Sequence, residues 1–226
     1  MNKLVSFVRL DFMTIKPYFT AKNMLIFAAI VFFLTVVSYN LSSVFVVGMM
    51  LGLMFTSYPF AVGEKTNMDA LYVILSIGRK TVVLGRYIFA LFLNICAIVL
   101  SFVFALVGLF TARAAKFQNR PDEVFWMVLL FAMLFAVIEV IQLPFFFKFG
   151  YNKARFLSVI PFIAIMGGYF AYISMGSNSE LSGYVTGFFT NTLGAGGMIA
   201  SAVFILFILI FTSYRLSLSF YSKREF

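Results

Sequence analysis

One short polar stretch lies between two long apolar runs, and this limits what the chain can become. Residues 58–87, YPFAVGEKTNMDALYVILSIGRKTVVLGRY, carry six of the 25 charged side chains. The preceding run holds no charge from Asn23 until Glu64, and the following run is uncharged again from Ile88 to Phe110. A membrane-crossing helix needs about 20 mostly apolar residues, and both runs supply them. The stretch between them therefore lies at one membrane face, as a handle on the membrane domain. Within it, Met68, Leu71, Tyr72 and Leu75 recur at helical spacing, with Lys65, Thr66, Asn67 and Asp69 as the polar complement. Thr66 or Asn67 is suited to cap that helix. Ser76 and Gly78 interrupt it, and Arg79, Lys80 and Arg86 follow.

The rest of the chain has the same character. It is 63% hydrophobic and 11% charged, where a soluble domain carries about 25% charge. Its apolar runs are continuous rather than alternating, which reads as helices and not a barrel. The expected class is an all-α integral membrane protein with six transmembrane helices, at residues 23–38, 44–62, 82–110, 124–147, 156–175 and 198–214. Residues 1–22 are too polar to span. Leu4, Val5, Phe7, Val8, Phe12, Ile15 and Phe19 share one side of a helical wheel there, and Lys3, Ser6, Arg9, Thr14 and Lys16 the other. Asp11 is the exception. This reads as an amphipathic interfacial helix, ended or bent by Pro17. Residues 1–22 and 23–226 thus form the two parts of the chain, with the handle at about 63–80. A cleavable signal peptide fits less well, because no small-residue cleavage pattern follows the apolar core.

Lysine and arginine orient the chain. With the N-terminus inside, the outer loops hold three of the 17 cations, Arg113, Lys116 and Arg120, and the inner segments hold the rest. Both termini are then expected to be cytoplasmic. The handle shares that face with a short basic loop carrying Lys148, Lys153 and Arg155. Residues 176–197, rich in Gly, Ser and Asn, suit a segment that dips into the membrane without crossing. The net charge of +9 follows from this topology and calls for no nucleic-acid partner.

Several chemistries are excluded. The chain has no histidine and a single cysteine, Cys96, inside an apolar run. That removes an intrachain disulfide and the usual metal sites. No glycine cluster precedes Lys-Ser or Lys-Thr, so there is no phosphate loop, and no nucleophile–base pair appears. The chain itself is not expected to be an enzyme or to hold a cofactor. Glu139 is the one acid inside a span, with Gln142 three residues on along the same face. A charge at that depth is costly. It is either a polar patch on a substrate path or a neutral, hydrogen-bonded group joining helices, and a single acid makes a poor relay. Gly48 and Gly52 form a GxxxG pair in the second span, suited to close helix packing within the chain or between chains. Pro144 and Pro161 are expected to bend or end spans at the inner face.

Two segments resemble a known family. The first is Phe60-Ala-Val-Gly-Glu-Lys through Leu75-Ser-Ile-Gly-Arg-Lys80 and Val82-Val-Leu-Gly-Arg-Tyr87. The second is Leu143-Pro-Phe-Phe-Phe-Lys-Phe-Gly150 with Lys153-Ala-Arg155. Both are similar to the small six-span permease subunits of bacterial ABC exporters, the type-2 ABC transporter membrane subunits (a type V exporter-like fold). Ser76 and Gly78 stand where that family usually has proline and serine or threonine. The resemblance implies that the handle is a coupling helix docked on a separate ATPase, with Glu64, Lys65, Asp69, Leu71, Tyr72, Leu75, Arg79 and Lys80 as its coupling residues. It implies two ATPase subunits that bind ATP and Mg, a second permease chain in a homo- or heterodimer, and a place in the bacterial cytoplasmic membrane among its lipids. It also implies export, with amphipathic or antimicrobial peptides or lipid-like compounds as cargo. The rivals are an ion-driven secondary transporter, which would want more intramembrane ionisable groups, an intramembrane lipid enzyme, and a non-transporting anchor or immunity subunit.

Overall fold

The computed structural model describes residues 3–18, 20–38, 42–109, 121–157, 159–161, 163–164, 167–168 and 194–224. Every regular element among them is a helix. These are α1 (Lys3–Ile15), a 3-10 turn (Lys16–Tyr18), α2 (Ala21–Ser38), α3 (Ser42–Lys65), α4 (Met68–Ile74), α5 (Arg79–Leu109), α6 (Pro121–Leu157) and α7 (Gly194–Ser222). Among the described residues, four stretches are long and apolar enough to cross a membrane: Val44–Lys65, Arg79–Val103, Trp126–Leu157 and Ile199–Ser222. The chain is therefore a multi-pass membrane protein. The expected outer loop at 111–123, the fifth span at 156–175 and the segment at 176–197 lie largely outside the described residues.

α3, α5 and α6 pack on one another, α7 lies against α6 and α5, and α1 lies across α5. Small residues let them approach. Gly48 faces the Ser101 side chain and the Ala97 carbonyl of α5, and Gly52 faces the Phe135 ring of α6. A Cβ at either position would collide with its neighbour, so both glycines of the GxxxG pair serve contacts inside this chain. Gly85 does the same for α1, whose Phe7 ring rests on it. The outward surface is apolar almost everywhere. Leu25, Phe32 and Phe33 of α2 and Phe204, Phe207 and Phe211 of α7 are all exposed, as expected where the solvent is lipid.

Three boundaries differ from the sequence reading. The basic segment with Lys148, Lys153 and Arg155 is not a loop: α6 continues through it to Leu157. Lys148, Lys153, Ala154 and Arg155 are good helix formers, and the break lies at Gly150, at φ 73° and ψ 174°. Pro144 does not end a span, because the helix runs through it. The basic tail is helical as far as Ser222. Pro161 falls in the helical stretch 159–161.

Replacing Gly52 with valine is expected to cost about 1–3 kcal/mol by displacing Phe135. Gly63→Ala, where the nearest atoms stand 3.8 and 3.9 Å away, should leave stability unchanged or raise it by up to ~1 kcal/mol. Thermal unfolding in mild detergent distinguishes the two.

A braced handle and two buried polar clusters

The handle is built by local hydrogen bonds. Thr66 closes α3: its amide and its hydroxyl both donate to the Val62 carbonyl, at 3.0 and 2.8 Å. Asn67, left-handed at φ 49°, then turns the chain into α4. At the other end Ser76 is left-handed (φ 50°), and the Ile77 amide reaches back to the Tyr72 carbonyl at 2.9 Å. That bond is the signature of a Schellman stop, with Ser76 in the place glycine usually takes. Ile77 packs against the cluster that holds Tyr72, which supplies the apolar contact of that motif. The Gly78 carbonyl accepts the first amides of α5, from Thr81 and Val82.

The apolar positions of the handle divide between two faces. Tyr72 is buried and meets the Phe7 ring edge-on at 5.2 Å. Met68 packs on the same cluster. Leu71 (42%), Ile74 (77%) and Leu75 (55%) point outward. Three of the charged residues are occupied within the chain. Glu64 accepts the Asn152 amide at 3.0 Å and its Nδ2 at 2.9 Å. The left-handed Gly150 leaves that amide at the start of a new helical segment, where a carboxylate is favoured. Asp69 accepts the Tyr221 hydroxyl at 2.9 Å and lies 3.7 Å from Arg224. Arg79 donates to the Ser222 carbonyl and, at 3.2 Å, to that of Arg224. A cation there suits the carbonyl end of α7. Lys65 and Lys80 are exposed. Lys148 lies over the Phe149 and Phe220 rings at 4.9 and 5.0 Å, Arg155 over Phe156 at 4.6 Å, and Lys153 is exposed.

Beneath the handle is a buried ion pair that sequence reading did not find. Arg86 Nε lies 3.4 Å from Asp11 Oδ2, with both side chains almost fully covered. The guanidinium also sits 4.6 Å over Phe60 and 5.7 Å from the centre of Phe7. Both Asp11 oxygens and Arg86 Nε and Nη1 lack a hydrogen-bond partner among the described residues, so charge rather than a hydrogen bond holds the pair. Burial raises the Asp11 carboxyl to about 6, against the lowering effect of Arg86. Burial likewise raises the Tyr72 hydroxyl above its ordinary value. A cavity of about 400 Å³ opens on the handle side of Arg86, walled by Glu64, Asp69, Arg86, Tyr221 and Arg224 among others.

A second polar cluster lies deeper. Thr56 Oγ1 is 2.6 Å from Glu139 Oε1 and 3.0 Å from the Gly52 carbonyl. Asn94 also bonds the Glu139 side chain. Thr56 of α3 and Asn94 of α5 thus both bond the buried carboxyl of Glu139 on α6, which joins the three helices. Gln142 is buried one turn away. Nearby, Ser217 donates to Tyr87 (2.8 Å), Tyr87 to Ser213 (2.5 Å), and Ser213 to the Val140 carbonyl (2.6 Å). This chain has one consistent direction and ties α7 to α5 and α6. Among the described residues no three His, Cys, Asp or Glu side chains gather as metal ligands.

Two tests follow. The ionised form of Asp11 destabilises the fold, because its folded value lies above its ordinary 3.8. Stability present at low pH is lost as pH rises from about 4 to about 6, by roughly 3 kcal/mol from this group. Unfolding curves across that range should show the slope in wild type and not in Asp11→Asn. Thr56→Val should cost about 1–3 kcal/mol by leaving the buried Glu139 short of a partner, measured as a lowered melting temperature.

Comparison with known proteins agrees with this architecture. No curated protein and no solved structure matches the chain. The family model described as "ABC-2 family transporter protein" matches residues 6–222, from within α1 to the last residue of α7. The chain belongs to that family, as a multi-pass ABC transporter permease of the kind that works with an ABC ATPase.

Proposed function

We propose that the chain is the membrane subunit of an ATP-driven exporter, with six spans and both termini in the cytoplasm, and that α4 is its coupling helix. The observation that carries this reading is the outward edge formed by Leu71, Ile74 and Leu75. Three large apolar side chains on a two-turn helix at the polar end of the bundle have no use in water, and they suit an apolar groove on a soluble partner. The rear of the same helix is tied to α1 and α7, and the end of α3 that leads into it is tied to α6 through Glu64. A push on the outward edge would therefore reach several helices at once. ATP and Mg belong to the ATPase, present in two copies beneath a pair of permease chains, and this chain does no chemistry of its own.

The cargo fits the same reading. A cavity of about 370 Å³ between α3 and the inner end of α6 is lined by Met50, Met54, Ser57, Gln142, Tyr151 and Arg155, among others. Flexible methionines beside polar and cationic groups suit an amphipathic cargo of variable shape, such as a membrane-active peptide or a lipid-like compound. The bacterial cytoplasmic membrane is the expected location.

The coupling role is tested by co-purification with the cognate ATPase. Wild type should retain the ATPase, whereas Leu71→Asp and Ile74→Asp should lose at least ten-fold of it and of ATP-dependent transport while inserting normally. Full retention and normal transport in both variants would sink the role. Asp69→Arg is a poorer probe, since Asp69 is bonded inside the chain.

A further inference from the structure

A groove of about 760 Å³ runs between α1, α3 and α5, away from the handle and from the methionine-lined cavity. Its walls are almost wholly apolar. The floor is one stripe of α3, including Val44, Gly48 and Leu51. The far wall is α5 from Phe92 to Ser101. The polar exception is at the α1 rim, where Arg9 and Lys16 line the groove and are both exposed. Arg9 lies on α1 and Lys16 at the start of the 3-10 turn that follows it.

We propose that this groove holds one anionic glycerophospholipid, its acyl chain against α3 and α5 and its phosphate between Arg9 and Lys16. Three features favour that occupant. The groove is of ligand-site size and is walled by two helices apolar enough to cross the membrane, so it opens to hydrocarbon rather than water. Its run along α5 from Phe92 to Ser101 spans about 14 Å of helix rise, close to the ~15 Å hydrocarbon depth of one leaflet. Both rim charges are positive, matching a phosphate. A second copy of this chain packed symmetrically here would instead bring the same cations from both copies to one rim, where they repel. The lipid would fasten the outer edge of α1, whose inner face is held by the Asp11–Arg86 pair. This site is separate from the proposed cargo cavity and does not depend on transport.

The test is native mass spectrometry of the full chain released from nanodiscs of equimolar phosphatidylglycerol and phosphatidylcholine. Wild type should retain one phosphatidylglycerol per chain in preference to phosphatidylcholine. Arg9→Gln/Lys16→Gln should lower phosphatidylglycerol retention roughly 30-fold, at about 1 kcal/mol per cation, with an unchanged melting temperature. Cys96→Phe, which fills the groove from α5, should lower retention of both lipids. Equal retention of the two lipids by wild type, or unaltered retention in the double variant, would overturn the proposal. So would efficient Cys96-to-Cys96 cross-linking between chains, which would show a second copy in the groove.

Discussion

An arginine buried at the handle end of α5 cannot be left alone in a low-dielectric interior, and much of the structure is arranged around it. Arg86 takes its counter-charge from Asp11 on α1 and its ring contacts from Phe60 on α3 and Phe7 on α1. A single partly satisfied charge thus fixes how the N-terminal helix lies across the bundle. Such a pair is weak evidence of stability, because desolvation offsets the attraction. Its value lies in register: sliding α1 by one turn along α5 would strand both charges and lift Phe7 off Gly85.

The same logic of obligatory pairing extends around the handle. Glu64 meets the amide freed by the break at Gly150, Asp69 meets Tyr221, and Arg79 meets the carbonyls at the end of α7. Each contact joins segments far apart in sequence. Together they make α4 part of a block rather than a loose loop, and they leave Leu71, Ile74 and Leu75 as its outward edge. Deeper in the bundle, Glu139 and the Tyr87–Ser213–Ser217 chain satisfy polar groups where lipid offers no partner. The two levels divide the work: the handle end ties the chain's distant segments to α4, and the middle holds the helices together.

The broad class was legible because membrane helices are written in continuous apolar runs. The handle was legible because six charges sit between two such runs. What could not be read was which charges face inward. Along the handle, Leu71 and Tyr72 look equivalent by spacing, yet only Tyr72 meets Phe7, because α1 arrives from a distant part of the sequence. Asp11 was visible as an outlier on its wheel, but its partner Arg86 resembled any basic residue of an inner loop. The serines of α7 gave no signal, since a lone serine in a span reads as neutral until a tyrosine from another helix is placed beside it. The basic segment after Pro144 was read as a loop because its charge outweighed its helical propensity. In the structure one glycine at positive φ breaks the helix at a kink, and a second helical segment carries the basic residues after it.

The central claim is that the handle is rigidly held by the chain's own ends. Hydrogen–deuterium exchange of the peptide covering residues 66–78 tests it most directly, in wild type and in a Tyr221→Phe/Arg79→Ala variant. The account predicts that α4 amides in wild type are protected to a similar degree as the adjoining ends of α3 and α5, and that the variant loses this protection while the spans keep theirs. Complete exchange of α4 within seconds in wild type would contradict it, because a helix that opens so readily could not carry force from a partner into the bundle.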